Sequence, residues 1–250
     1  MLLHEVLELT ARVGEVLFPP RTLNAIGWIY GELEDPEAAL EWNRRSFDEA
    51  QALGLPDPEI ECNAVLNWAD NLIALGRLDE AERRFEFVAR VVQHPKPEER
   101  WMLWRYAQHY YHSYGELQLA RGDAETAIML ADQCLRGAEE TDARKNIMKA
   151  KRLRGQARLA LGDLAAAGED ISAALELAID VANPGQLWKT HEALGDLRRA
   201  QGRVADARDA YAAALAVLDG TAAALTDEAL SSTLLASDAV RRLRERAAAR

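Results

Sequence analysis

Basic side chains are concentrated in one short segment of an otherwise acidic sequence. The formal net charge is −11, yet residues 143–160 contain seven basic residues and no acid: Arg144, Lys145, Lys149, Lys151, Arg152, Arg154 and Arg158. On a helix Lys145, Lys149 and Arg152 share one face. Such a row would attract an anionic ligand, because arginine can bind a carboxylate or phosphate with two parallel hydrogen bonds. The alternative is that these charges pair with acids on neighbouring helices, such as Glu139, Glu140 or Asp170.

Two histidines give a weak metal-binding pattern. His109, His112 and Glu116 would lie on one helix face, and imidazole with carboxylate is a donor set that zinc accepts. A further ligand is not identifiable, so we interpret them as polar residues of a binding surface and predict neither metal nor cofactor. His191-Glu192 begins like the H-E-x-x-H zinc motif, but Gly195 stands where the second histidine is needed.

Other signs of catalysis are absent from the sequence. It has no G-x-S-x-G motif, and neither Cys62 nor Cys134 has a context that indicates activation. We therefore predict that the chain is not an enzyme and that both cysteines are reduced thiols of a cytoplasmic protein. The acidic balance argues against nucleic acid and anionic membranes as partners, and no stretch of 18 consecutive apolar residues indicates a membrane span.

The elements that position these residues follow a repeat. Turn glycines stand at Gly76, Gly122, Gly162 and Gly202, in steps of 46, 40 and 40 residues, and Glu34 holds the same place 42 residues before Gly76. A period of this size indicates stacked helix pairs. A small residue precedes each turn by seven positions: Gly27, Ala69, Gly115, Gly155 and Gly195. We expect left-handed glycines at the turns and close helix packing at the small residues.

The pattern W-x2-L-G-x2-Y, A-x3-F, P can be laid on each of the five units, which thus resemble the tetratricopeptide repeat. The fourth unit departs from it, because Lys151, Arg154 and Arg158 stand where large apolar residues are usual. This resemblance implies an all-α solenoid of about five helix pairs that winds as a right-handed superhelix. We assign the repeats to residues 21–220, an N-terminal cap or half repeat to 1–20, and one C-terminal capping helix to 221–250.

The two predicted caps have amphipathic patterns. The N-terminal helix carries Leu2, Val6, Leu9, Val13 and Val16 at helical spacing and should end at Pro19-Pro20. The C-terminal segment has four arginines, Arg241, Arg242, Arg244 and Arg246, which a solvated helix explains better than nucleic-acid binding.

The subtype of the repeats is similar to a bacterial group. Residues 23–30 (LNAIGWIY), 144–156 and 186–191 (QLWKTH), with the tail at 234–241, resemble the C-terminal tetratricopeptide region of large signalling proteins. In that group a cyclase, kinase or DNA-binding output module is joined to an ATPase, and the repeats are a sensing or protein-binding arm. This chain has no G-x-x-x-x-G-K-[ST] loop, so an ATPase or output module would lie elsewhere, on the same or another chain.

In tetratricopeptide stacks the first helix of each pair lines a groove, through its second, fifth and ninth pattern positions. The predicted groove residues are Asn24, Trp28, Leu66, His109, His112, Lys145, Lys149, Arg152 and Lys189. The leading hypothesis is a non-enzymatic scaffold that binds an acidic protein or peptide segment there. Trp28 and Leu66 would bury apolar side chains of the partner, and Lys149, Arg152 and Lys189 would orient it. The alternative is a ligand-sensing regulatory arm of a bacterial signalling ATPase or transcriptional regulator.

A second group of residues, rich in aromatic rings, precedes the third turn. It consists of Trp101, Trp104, Tyr106, Tyr110, Tyr111 and Tyr114. At helical spacing most of these rings should belong to the core.

Overall fold

The computed structural model describes residues 2–54 and 57–249, and every regular element in them is helical. The α-helices are α1 (Leu2–Val13), α2 (Phe18–Glu32), α3 (Pro36–Ala52), α4 (Pro58–Ala74), α5 (Leu78–Gln93), α6 (Leu103–Ala120), α7 (Ala124–Glu140), α8 (Arg144–Ala160), α9 (Leu164–Val181), α10 (Pro184–Ala200), α11 (Val204–Ala224), α12 (Glu228–Ala236) and α13 (Asp238–Ala248). A short 3-10 helix spans Pro97–Arg100. None of these helices is long and apolar enough to cross a membrane.

The predicted turns end the first helix of each pair, α2, α4, α6, α8 and α10. The four turn glycines have φ between 70° and 85°, and Glu34 has φ 55°. After α4, the Gly76 amide donates to the Ile73 carbonyl at 2.9 Å, and the Arg77 amide donates to the Leu72 carbonyl at 2.8 Å. This pair of hydrogen bonds ends a helix on a left-handed residue. The prediction of left-handed turn residues is confirmed.

The chain divides into two compact units, Met1–Ser113 and Tyr114–Arg250. In the first unit α2 packs on α3, α3 on α4 and α4 on α5. Its core contains the fully or almost fully buried Leu23, Leu72 and Phe85. In the second unit the consecutive helices α7 to α11 pack on one another, and α13 packs on α11.

Small residues on the first helices allow the close packing that the sequence predicted. A Cβ atom on Gly195 would lie 2.2 Å from Cε1 of Tyr211 on α11. A Cβ atom on Gly27 would lie 2.4 Å from Nδ2 of Asn43 on α3. Neither space accommodates a methyl group, so these helix pairs depend on glycine at the contact.

Short polar residues fix several helix starts. Asp57 accepts the Ile60 amide at 3.2 Å and Asn183 accepts the Gln186 amide at 3.0 Å. In both cases a proline follows as the first helical residue, where its missing N–H is not needed.

The structure differs from the prediction at both ends of the chain. Pro19-Pro20 do not end the first helix: α1 ends at Val13, before Gly14 with φ 71°, and the prolines lie in the first turn of α2. The segment predicted as one capping helix contains α12 and α13, because the Ser237 hydroxyl accepts the Val240 amide at 3.3 Å and starts a second helix.

Candidate protein-binding surfaces

Arg152 is a structural residue of the second unit. Its side chain is almost fully buried, with 3% of the residue exposed. Its Nη1 donates to Oε1 of Gln186 at 2.9 Å and to Oγ1 of Thr190 at 3.4 Å, both on α10. Because the guanidinium group links α8 to α10, it is not available to a partner's carboxylate. The prediction that Arg152 grips an anionic group is wrong.

Leu66 and His112 occupy the same fifth pattern position in the first unit, and both are buried. Leu66 on α4 has no exposed surface, and His112 on α6 is 2% exposed. The predictions that they line an open groove are therefore wrong. The fifth position is turned towards neighbouring helices, as the contact of Arg152 with α10 also illustrates.

Asn24, the fifth-position residue of α2, belongs to a network of amides in the first unit. Its Oδ1 accepts from Nδ2 of Asn43 at 2.8 Å and from Nδ2 of Asn67 at 3.0 Å. Asn71 donates in turn to Oδ1 of Asn43 at 2.9 Å. The asparagine network, defined as these four residues, connects α2, α3 and α4.

Sequence analysis missed this network. Asn43 lies on a second helix, and Asn67 and Asn71 stand outside the three groove positions. A usable signal exists nonetheless, because asparagine is a weak helix former and four of them fall in the interiors of three consecutive helices.

Trp28 is accessible on the first unit. It occupies the ninth pattern position of α2, and 45% of its surface is exposed. The adjacent Ile29 is 36% exposed. The structure thus agrees with the prediction that Trp28 faces solvent, about one helical turn from Asn24.

His109 faces a carboxylate rather than a second imidazole. Its Nε2 lies 2.8 Å from Oδ2 of Asp70, the ninth-position residue of α4, and both side chains are partly exposed. His112, the second histidine of the weak metal-binding pattern, is buried. In the part of the chain that the structure describes, no group of three or more histidine, cysteine or acidic residues could hold a metal ion.

Three predicted lysines remain partly accessible on the second unit. Lys145 and Lys149 lie on α8, and Lys189 lies on α10. The Nζ atom of Lys189 is 5.2 Å from the ring centroid of Trp188, which is itself buried. We call Lys145, Lys149 and Lys189 the lysine group.

The other arginines of the same basic segment, all except Arg152, are paired with acids. Arg154 binds Asp170 at 2.6 Å and Asp132 at 2.7 Å, and Arg158 binds Asp170 at 2.8 Å. The hydrogen bonds that Arg154 donates to the Asp170 carboxylate raise the pKa of Arg154 further above its ordinary value. Arg144 pairs with Asp180. The alternative interpretation of the basic run, pairing between helices, therefore holds for these arginines.

The last helix, α13, places a positively charged arginine beside two acidic residues of α10. Arg246 contacts Glu192 at 2.9 Å and Asp196 at 3.1 Å. Burial raises the pKa of Glu192, and the nearby Arg246 opposes this shift. Of the four arginines predicted to face outward, Arg246 instead packs inward, and Arg241, Arg242 and Arg244 are exposed.

The aromatic group separates into buried and exposed members. Tyr106 and Tyr110 are buried as expected, but Trp101 is 77% exposed and Trp104 is 49% exposed. The backbone turns at Met102, which has φ 61°, so the tryptophans leave the core just before and at the start of α6. Their exposure is a correction to the predicted core.

Neither cysteine has the environment of a nucleophile. Both thiols are buried, and burial raises the pKa of Cys62 and of Cys134 to about 12. Cys62 lines an open cavity of ≈ 320 Å³ in the first unit together with Arg90 and Glu99, whose side chains pair at 3.2 Å. The cavity contains no predicted site residue.

No protein-family model and no curated protein matches the sequence. Among solved structures, the chain is similar to BtubC (BKLC) from P. vanneervenii, with a TM-score of 0.60, 16% identity and 90% of each chain covered. It is also similar to the TPR-like repeats of a putative kinesin light chain from Podosopora anserina. There the TM-score is 0.52 at 16% identity, over 82% of this chain and 97% of the other.

At this level of identity the likeness concerns the fold alone. The chain has an all-α fold of tetratricopeptide-like repeats, as predicted. The resemblance to the repeats of bacterial signalling ATPases stays a prediction from the sequence.

Proposed function

We propose that this chain is a non-enzymatic scaffold whose first helices bind a segment of a partner protein. The observation that carries the proposal is the exposure of Trp28. A tryptophan that is 45% exposed on a first helix does not contribute its full area to the core. Tryptophan is also among the residues that dominate the energetics of protein interfaces.

The surroundings of Trp28 support its role as an anchor. The asparagine network holds α2 against α3 and α4 through hydrogen bonds of 2.8–3.0 Å. A side chain on a rigid helix loses little additional freedom when a partner binds, and this lowers the cost of association. The contact would bury an apolar side chain of the partner against the indole ring.

The lysine group supports a partner with acidic character. Lys149 and Lys189 stand at equivalent second positions of α8 and α10, and both are partly exposed. They lie in a chain whose net charge is −11, so a local positive surface favours acidic residues over other surfaces of the same protein. The lysines would orient the partner rather than supply most of the affinity.

Substitution of Trp28 tests the proposal. The immobilised chain captures proteins from a cell lysate, the captured protein is identified and purified, and its Kd is measured by calorimetry. We expect Trp28→Ala to weaken binding at least tenfold, because it removes an interface anchor. Helical content should be unchanged.

Trp101→Ala is the matched control, because Trp101 is a more exposed tryptophan of the same unit that lies outside the first helices. It should leave the Kd unchanged. Equal affinities of the wild type and Trp28→Ala would reject Trp28 as the anchor. Equal losses in both variants would show that exposed aromatic area, rather than the first-helix surface, determines capture.

The second hypothesis is a ligand-sensing arm of a bacterial signalling ATPase. It rests on the quoted sequence resemblance and would place an ATPase or output module on the same or another chain. Cytoplasmic location, predicted from the two cysteines, belongs to both hypotheses. The adjoining genes test this role: a phosphate-loop ATPase beside this reading frame supports it, and none there argues against it.

A further inference from the structure

The N-terminal helix keeps apolar side chains in solvent. Leu9 is 51% exposed and Val13 is 68% exposed on α1. Just past the end of the helix, Val16 is 52% and Phe18 is 59% exposed. Leu9 and Val13 are four residues apart and so lie one above the other on the same face of α1, and an exposed apolar patch is a feature of interaction sites.

A different face of α1 attaches the helix to the first unit. Thr10 is buried on this face, and α1 packs on α2. The ring of His4 meets the ring of Trp42 on α3 edge-on, with centroids 5.5 Å apart. Leu9 and Val13 therefore stay available while the helix remains in place.

Leu9 and Val13, together with the partly exposed Val6, have the spacing of a coiled-coil seam. Val6, Leu9 and Val13 follow one another at intervals of three and four residues, which corresponds to the a, d and a positions of a heptad. The β-branched valines occupy a and leucine occupies d. A seam of this type packs against another helix that has the same pattern.

The charged residues beside the seam determine which helix can pair with α1 and in which orientation. Glu5 and Arg12 are seven residues apart, both exposed, and both take the g position next to the seam. In an antiparallel pair of identical helices, g residues face g residues, so Glu5 of each copy meets Arg12 of the other. A parallel pair would instead place them against e positions, which hold the uncharged Leu3 and Thr10.

The packing register agrees with these ion pairs. If Val6 of one copy packs against Leu9 of the other, Glu5 of the first copy lies only two positions along the axis from Arg12 of the second. This offset is about 3 Å, which the two long side chains can span. Apolar and charged contacts therefore fit one arrangement with two-fold symmetry, in which each patch is complementary to itself.

We infer that α1 binds α1 of a second copy of this chain, antiparallel and around a two-fold axis. The interface consists of Val6, Leu9 and Val13, bordered by two symmetric Glu5–Arg12 pairs. It is small, so the dimer is weak and depends on concentration. This inference goes beyond the proposed function and uses neither Trp28 nor the lysine group.

Charge reversal on the full-length chain tests the inference. Sedimentation equilibrium of the wild type should show a reversible monomer–dimer equilibrium. Glu5→Arg alone and Arg12→Glu alone should each weaken the dimer about tenfold, because both ion pairs become like-charge contacts. An equimolar mixture of the two variants should regain wild-type affinity, since every g–g contact then joins opposite charges.

Two further variants keep the result decisive. Leu9→Asp should abolish the dimer, whereas Met129→Asp, at an exposed position on α7, should not alter it. Circular dichroism checks that each variant keeps its helical content. A wild type that stays monomeric at every concentration, a dimer insensitive to Leu9→Asp, or a mixture without recovery would overturn the inference.

Discussion

Asn43 illustrates how one polar side chain can determine the packing of three helices. It has no exposed surface, donates to Asn24 on α2 and accepts from Asn71 on α4. It also fills the space that a side chain on Gly27 would need. A buried amide of this kind contributes to stability only while its partners are in place, because an unsatisfied buried group costs more than a hydrogen bond supplies.

Asn43→Ala should therefore lower the free energy of unfolding by about 1–3 kcal/mol. The substitution removes the Asn43 oxygen that accepts from Asn71. The buried side-chain amide of Asn71 then lacks this hydrogen bond. Urea denaturation followed by circular dichroism measures the change. The control is Asn63→Ala: Asn63 is partly exposed and bonds to Glu59 within its own helix, so a loss below about 0.5 kcal/mol is expected. Similar losses in both variants would contradict a special role of the network.

The site residues could be predicted from the sequence only in part. Repeat register identified the first helices, and it placed Trp28, Lys149 and Lys189 at accessible positions. The same register failed at Leu66, His112 and Arg152. Sequence gives the spacing of residues along a helix, but whether a neighbouring helix covers them depends on tertiary distances that no single helix encodes.

At the scale of elements, four residues other than glycine have a left-handed backbone, Glu34, Met102, Asp142 and Ala182 in the described chain. Ala182 ends α9 with φ 53° and ψ 38°, and it is exposed. Its Cβ gains no packing there and still suffers the steric conflict of this conformation. A glycine would have no such conflict.

Ala182→Gly should accordingly raise the free energy of unfolding by about 0.5–1 kcal/mol. Thermal and urea denaturation measure this gain. Gly202→Ala makes the opposite change at φ 74° and should lower stability by about 1 kcal/mol. A destabilised Ala182→Gly variant would show that the entropy of the unfolded chain outweighs the relief of strain at this turn.

Most helix boundaries could be predicted because the residues that fix them act locally. Turn glycines and the caps at Asp57 and Asn183 need only a few neighbouring residues. The N-terminal prediction failed because a proline can follow one helix or begin the next, and Pro19 and Pro20 do the latter. At the C-terminal end, the apolar residues keep helical spacing across Ser237, so the sequence predicted one helix where Ser237 separates α12 from α13.

At the scale of the whole molecule, a net charge of −11 surrounds the lysine group. Capture of an acidic partner should weaken as salt rises, because screening at physiological ionic strength already acts within about 8 Å. The double variant Lys149→Glu with Lys189→Glu should raise the Kd about tenfold at low salt. The Kd of this variant should also depend less on salt concentration. Titrations of the purified partner at several salt concentrations measure both effects.

The matched control is the double variant Arg136→Glu with Arg244→Glu. Both arginines are exposed, and both lie in the second unit outside the first helices. It changes the net charge by the same amount. If both double variants lose affinity equally, the total charge of the chain governs binding and the lysine group is not a site. If neither loses affinity, the partner does not use acidic residues there.

The junctions between first helices and the helices beside them differ chemically from one another. Asn24 joins Asn67 through amides, Arg152 joins Gln186 through a guanidinium group, and Glu192 meets Arg246 of α13 through an ion pair. Each repeat consequently matches only its own neighbour, although all share one architecture. Excising or exchanging an inner repeat would bring mismatched ends together, so the order of the units is as much a part of this protein's specification as their shape.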